Sequence, residues 1–179
     1  MNLLPGVTES SGATWLDPDA AIALADELPK LLYSRRPDHQ QQFSDAAERW
    51  KKSLAEMRSE IEPTIAAAAG KSVGTLSPIF DALLLRYGLA PVRLADADLH
   101  QLSDQDLFRL KQAAAAQSVQ WLVVDASIPD SLVQWVATKT GLKVLRLETA
   151  GSSAPSSGIS TYLEVCRYNL QQLCRLTTE

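Results

Sequence analysis

From Gly70 onward the chain alternates short β-prone runs with helical stretches, and this rhythm constrains its fold more than any other feature. The candidate strands are Ser72 to Leu76, Pro91 to Leu94, Gln120 to Asp125 and Lys143 to Leu147. The candidate helices between and after them are Ile79 to Tyr87, Ser103 to Ala116, Pro129 to Thr140 and Ile159 to Leu176. Strands separated by helices require parallel crossovers, so the pattern predicts an α/β fold: a four-stranded parallel sheet with helices on both faces. Gly88 and Gly141 stand where C-cap glycines close two of those helices. The Ser/Gly-rich stretch 151–158 reads as a flexible loop.

Two helices precede this region. Asp17-Pro18 followed by Ala20, Ala21, Ile22, Leu24, Ala25, Leu28, Leu31 and Leu32 predicts an amphipathic helix. Asp17 is its N-cap, Pro18 its first residue, and its end falls near Ser34, with Pro29 a candidate kink. Phe43, Ala47, Trp50, Leu54, Met57 and Ile61 then recur at steps of four and three. That is the spacing of a single apolar stripe, and it predicts one long helix from about Asp38 to Ala69 with a candidate kink at Pro63. The stripe is longer than one lobe is expected to cover; without a second lobe over the remainder, that part is expected to drive self-association.

With 179 residues, 46% of them hydrophobic, the chain can bury one sizeable core. Its 17 basic and 21 acidic residues give a net charge of -4 without a long single-sign run. This argues against a nucleic-acid partner, which needs a clustered basic face. Cys166 and Cys174 lie eight positions apart on a helical pattern, about 12 Å at 1.5 Å per residue. They cannot pair within a straight helix and read as small buried apolar side chains. Met1-Asn2-Leu3-Leu4-Pro5-Gly6 lacks a basic region followed by an apolar run, so taken literally it is no secretory signal and the chain is soluble and cytoplasmic. A start internal to a longer protein would remove that expectation.

Catalytic and phosphate-binding motifs are absent. Gly70-Lys71-Ser72 suggests a phosphate loop, but the required first glycine would fall at Ile65, and the run precedes a strand. There is no GxSxG elbow, and neither His39 nor His100 has a second histidine or cysteine at ligand spacing. An enzyme would have to use Asp125 and Glu148 as an acid and base pair without a nucleophile or cofactor motif beside them. In an open parallel sheet, ligands bind outside the carboxyl ends of the strands. Ser77, Asp125 and Glu148 stand at three of those ends and are expected to line one edge together. The alternative is that strand ends simply become polar as they reach solvent.

Trp15-Leu16-Asp17-Pro18, Phe80 with Arg86-Tyr87-Gly88-Leu89, then Thr138, Gly141 and Val144, and finally Thr161-Tyr162-Leu163-Glu164 with Tyr168-Asn169-Leu170 follow a familiar order. In that order and spacing the chain, from about Ala13, resembles the zinc- and manganese-binding receptors of bacterial ABC importers. The resemblance implies two α/β lobes joined by one long helix, with the metal in the cleft between them. On that frame residues 1–36 are a remnant of the first lobe with one helix, 37–70 the linker helix and 71–179 the C-terminal lobe. Most of the first lobe, with its ligand, would lie upstream of Met1.

The same resemblance implies a solute-binding component that delivers zinc or manganese to a membrane permease, located in the periplasm or at the cell surface. It also shows departures. Two residues before Trp15 the family usually has a metal-binding His, and here stands Ala13; a second His follows the first strand of the second lobe, where this chain has Ser77. Asp125 and Glu148 remain at the third and fourth strand ends. The implied metal residues are thus Ser77, Asp125 and Glu148. Neither an Ala methyl nor a Ser hydroxyl replaces an imidazole lone pair, so zinc or manganese is expected to bind weakly or not at all. Two carboxylates suit hard, loosely held cations, and at an open edge they are expected to stay hydrated. The rival function is an interaction protein that keeps the lobe as a docking surface.

Overall fold

The computed structural model describes residues 13–95, 98–149 and 159–178. Helix α1 spans Pro18–Tyr33, α2 Gln40–Ala66, α3 Asp81–Arg86, α4 Asp104–Ala116, α5 Asp130–Thr140 and α6 Tyr162–Cys174. The strands are β1 Ser72–Thr75, β2 Ala90–Arg93, β3 Trp121–Asp125 and β4 Lys143–Leu147. They form one sheet in the order β2-β1-β3-β4 with every pairing parallel, as the alternation requires. Register places Val73 against Pro91 and Trp121, and Asp125 against Leu147.

Both faces of the sheet are covered, because successive strand residues point to opposite sides. On one face Val73, Trp121, Val123, Leu145 and Leu147 pack with residues of α2, α3 and α6. On the other, Leu122 and Val124 join Leu107 and Leu110 of α4 and Val136 of α5. At α2, the stripe residues Leu54, Met57 and Ile61 are buried against this first core, and Ile65 extends it. Phe43 and Trp50, nearer the start of α2, are only half-buried. Their side of α2 faces α1 across an apolar groove, and Trp50 meets Tyr162 with ring centroids 5.6 Å apart.

Local chemistry explains where the elements begin. Asp17 caps α1 by accepting a hydrogen bond from the Asp19 N–H at 3.0 Å, and α1 continues through Pro29 to Tyr33. A 3-10 turn, Pro37–His39, delays α2 to Gln40, and α2 then runs through Pro63 to Ala66. Helix α6 begins at Tyr162, three residues later than the periodicity predicts, because Thr161 and Glu164 form a reciprocal capping box. Gly88 (φ +71°) and Gly141 (φ +76°) adopt the left-handed conformation that ends helices. Both cysteines are free; Cys166 is buried, and burial pushes its thiol up to about 11, whereas Cys174 is only half-buried.

A charged cluster fixes α1 to the lobe. The Arg58 guanidinium of α2 donates to Asp19 and to Glu62, both at 2.6 Å, and Tyr87 donates to Glu62 at 3.2 Å. Arg86 of α3 pairs with Asp19 as well. The segment before α1 is tied down by backbone: the Ala13 N–H donates to the Ile79 carbonyl at 3.0 Å.

Candidate functional site

Strand order brings the carboxyl ends of β1, β3 and β4 side by side, and with them Ser77, Asp125 and Glu148. Each is shaped by its own turn. The Ser77 hydroxyl accepts the Ile79 N–H at 3.3 Å and caps the 3-10 turn Pro78–Phe80. Asp125 organises the loop after β3, accepting the Ser127 N–H at 2.8 Å on one oxygen and the Thr149 hydroxyl at 2.9 Å on the other. This second bond joins the β3 end to the residue that follows Glu148.

Glu148 departs from the expectation of a hydrated carboxylate at an open edge, since the residue is only 2% exposed. The cause is Asn169 of α6, also 2% exposed. Its side-chain oxygen accepts the Glu148 N–H at 2.7 Å, and its amide nitrogen donates to the Glu148 carbonyl at 2.8 Å. This clip draws the end of β4 under α6. Burial beside it also raises the Tyr168 phenol above its ordinary pKa. From the other side the Trp15 indole N–H donates to the Thr149 carbonyl at 2.8 Å, laying the segment before α1 across the same strand end.

Beside these groups opens a cavity of 530 Å3. Ser77 and Asp125 line it together with Thr75, Phe80 and Asp98; Glu148 and Ala13 do not line it. Asp98 had no motif to mark it: its carboxylate accepts the His100 N–H at 3.0 Å, and only the packing of the chain after β2 brings it here. His100 is therefore near this edge in sequence, whereas His39 sits between Arg36 and Gln42 at the start of α2.

The donor set is poor for a transition metal. Ala13 presents a methyl group, Ser77 a hydroxyl, and Asp125 and Glu148 carboxylates, so none of these four positions offers an imidazole nitrogen. Among the described residues no group of three or more His, Cys, Asp or Glu side chains could hold a metal ion. Carboxylate and hydroxyl oxygens fit a hard cation that keeps most of its water.

Comparison with known proteins places this arrangement. The model of a family described as zinc-uptake complex component A periplasmic (ZnuA) matches residues 13–175. A search of curated proteins finds no match. Among solved structures, the chain is similar to the laminin-binding protein Lbp of Streptococcus pyogenes, at 24% identity and a TM-score of 0.70 over 93% of this chain and 64% of that one. It is similar to a Zn(II)-bound mutant variant of AdcAII from Streptococcus pneumoniae, at 22% identity and a TM-score of 0.73, covering 97% of this chain and 65% of that one. A Cd-bound periplasmic metal binding protein from candidatus Liberibacter asiaticus follows, at 14% identity and a TM-score of 0.72, covering 91% of this chain and 62% of that one. The chain thus spans less than two thirds of the length of each of these proteins. With the parallel four-stranded lobe and the match over 13–175 in agreement, the chain belongs to the zinc-uptake component A family, the metal-receptor family its sequence resembles.

Proposed function

We propose that this chain serves as a solute-binding component of a zinc or manganese ABC import system, with a degenerate site that holds its ion weakly. The observation that supports it best is the match over residues 13–175 to an uptake component, together with Ser77, Asp125 and Glu148 at adjacent strand ends. Residues 71–179 act as the C-terminal lobe, 37–70 as the linker and 1–36 as the remnant of a first lobe. Its partners are then the metal ion as cargo and a membrane permease, and its place is the periplasm or the cell surface. As an uptake component it carries out no reaction.

Weak binding follows from the donors. A lost imidazole removes a directional bond that water must replace, and two carboxylates without nitrogen hold zinc less selectively. Calorimetric titration with zinc and manganese is the test. Binding weaker than micromolar is expected; submicromolar binding abolished by Asp125→Ala with Glu148→Ala would restore an ordinary metal receptor.

A second reading, an interaction protein without metal, is favoured by the groove of 630 Å3 between α1 and α2. Its lining includes Leu24, Leu28, Phe43 and Trp50, and on α1 Leu24, Leu28 and Leu31 are 43%, 46% and 51% exposed. A contiguous apolar surface of this kind marks an interface, here with a second copy of the chain.

A further inference from the structure

The outer face of α1 carries a row of side chains that is acidic at one end, apolar in the middle and basic at the other. Asp17, Ala21, Leu24, Leu28, Leu31 and Arg35 follow one another at steps of four and three, which keeps them on one line of the helix. The line continues past Tyr33, because the Arg35 and Arg36 N–H groups still donate to the Leu32 carbonyl, at 3.0 and 2.9 Å. Its three leucines are about half exposed. The Asp17 side chain stays 29% exposed, and its carboxylate, which accepts the Asp19 N–H at 3.0 Å, keeps further acceptor sites. Arg35 is exposed, and among the described residues no carboxylate pairs with it.

From this we infer that α1 pairs with α1 of a second copy of the chain in the antiparallel sense, about a two-fold axis that crosses the row between Leu24 and Leu28. That direction sets Leu24 against the partner's Leu28, Ala21 against the partner's Leu31 and Asp17 against the partner's Arg35, and the symmetry repeats each contact. A small side chain then faces a large one, each acid meets a base, and the helix dipoles run in opposite directions. In a parallel pair, Asp17 faces its own copy and so does Arg35, and like charges set together are repelled. Leu24 and Leu28 also form the mouth of the groove whose α2 wall is Phe43, Ala47 and Trp50, so the partner's helix covers that apolar surface as well. A row complementary to its own reverse selects a second copy over an unrelated helix, which would need no such match between the two ends.

This pairing rests on the reading of the groove as a contact between copies, and it fixes the direction of that contact. Disulfide cross-linking of the whole chain tests it in a Cys174→Ser background, which leaves only the buried Cys166 as a native thiol. Copies with Ala21→Cys mixed with copies carrying Leu31→Cys are expected to give a mixed cross-linked dimer. Leu31→Cys alone should give almost none, since its two copies lie ten residues apart along the row, about 15 Å and beyond disulfide reach. Sedimentation should show Arg35→Asp weakening dimerisation about tenfold, because two repulsive pairs replace two attractive ones; added salt should weaken the parent and strengthen this variant. Arg35 stands exposed in a turn, so the substitution leaves the fold intact, and circular dichroism checks it. Cross-linking of Leu31→Cys with itself in place of the mixed dimer overturns the antiparallel pairing and leaves the contact between copies standing. So does a dimer that gives neither cross-link, or one whose affinity is unchanged in Arg35→Asp. A chain strictly monomeric at high concentration overturns both together and leaves this face to a different polypeptide. Zinc binding, whether strong or absent, bears on neither.

Discussion

Replacing Asn169 with Ala isolates the contact that sets the end of β4. The side chain satisfies both the N–H and the carbonyl of Glu148, at 2.7 and 2.8 Å, in a place where both residues are 2% exposed. Truncation leaves a donor and an acceptor buried without a partner, each costing about 1–3 kcal/mol, so a total of about 2–6 kcal/mol is expected. With a urea slope of about 2 kcal/mol per molar, a loss of about 3 kcal/mol lowers the denaturation midpoint by about 1.5 M. Asn169→Asp sharpens the test. It keeps an acceptor for the Glu148 N–H but sets a second oxygen against the Glu148 carbonyl, which raises the new carboxyl's pKa in the folded state. A raised folded pKa gives stability that is present below the unfolded value and lost as pH rises through the folded one. The Asp variant should therefore approach the parent at acid pH and fall away toward neutrality. A destabilisation of Asn169→Ala below about 1 kcal/mol would refute the reasoning, because the strand end would then be held by something else.

Two further outcomes follow from the same structure. Backbone and side-chain donors of Ser160 and Thr161 hold the Glu164 carboxyl down at about 2, so its capping box adds stability that is present above the ordinary carboxylate pKa and lost as pH falls toward 2; Glu164→Gln should flatten that acid limb in pH-dependent denaturation. Light scattering should show self-association that Leu24→Lys with Leu28→Lys weakens by about a hundredfold or more, since each Leu buried at an interface contributes about 1.5–3 kcal/mol; a strictly monomeric parent at high concentration would count against the groove as a contact.

What the sequence determined by itself is the kind and order of the elements. Steps of three and four fix which face of α2 is apolar, Asp17-Pro18 marks where α1 starts, and strands alternating with helices demand parallel crossovers. These are local signals, carried by residues within a few turns of one another. The resemblance in Trp15-Leu16-Asp17-Pro18 and Tyr168-Asn169-Leu170 likewise lay in residues read directly, and the family match bears it out. Periodicity says that a face is buried, not against what. The order β2-β1-β3-β4, the approach of Asp98 to Asp125 at one cavity, and the groove between α1 and α2 depend on which distant segments meet, so only the tertiary structure decides them. Glu148 shows the difference most plainly: as the residue after a strand it reads as a solvated carboxylate, but Asn169, 21 positions further on, draws its backbone beneath α6 and removes it from water.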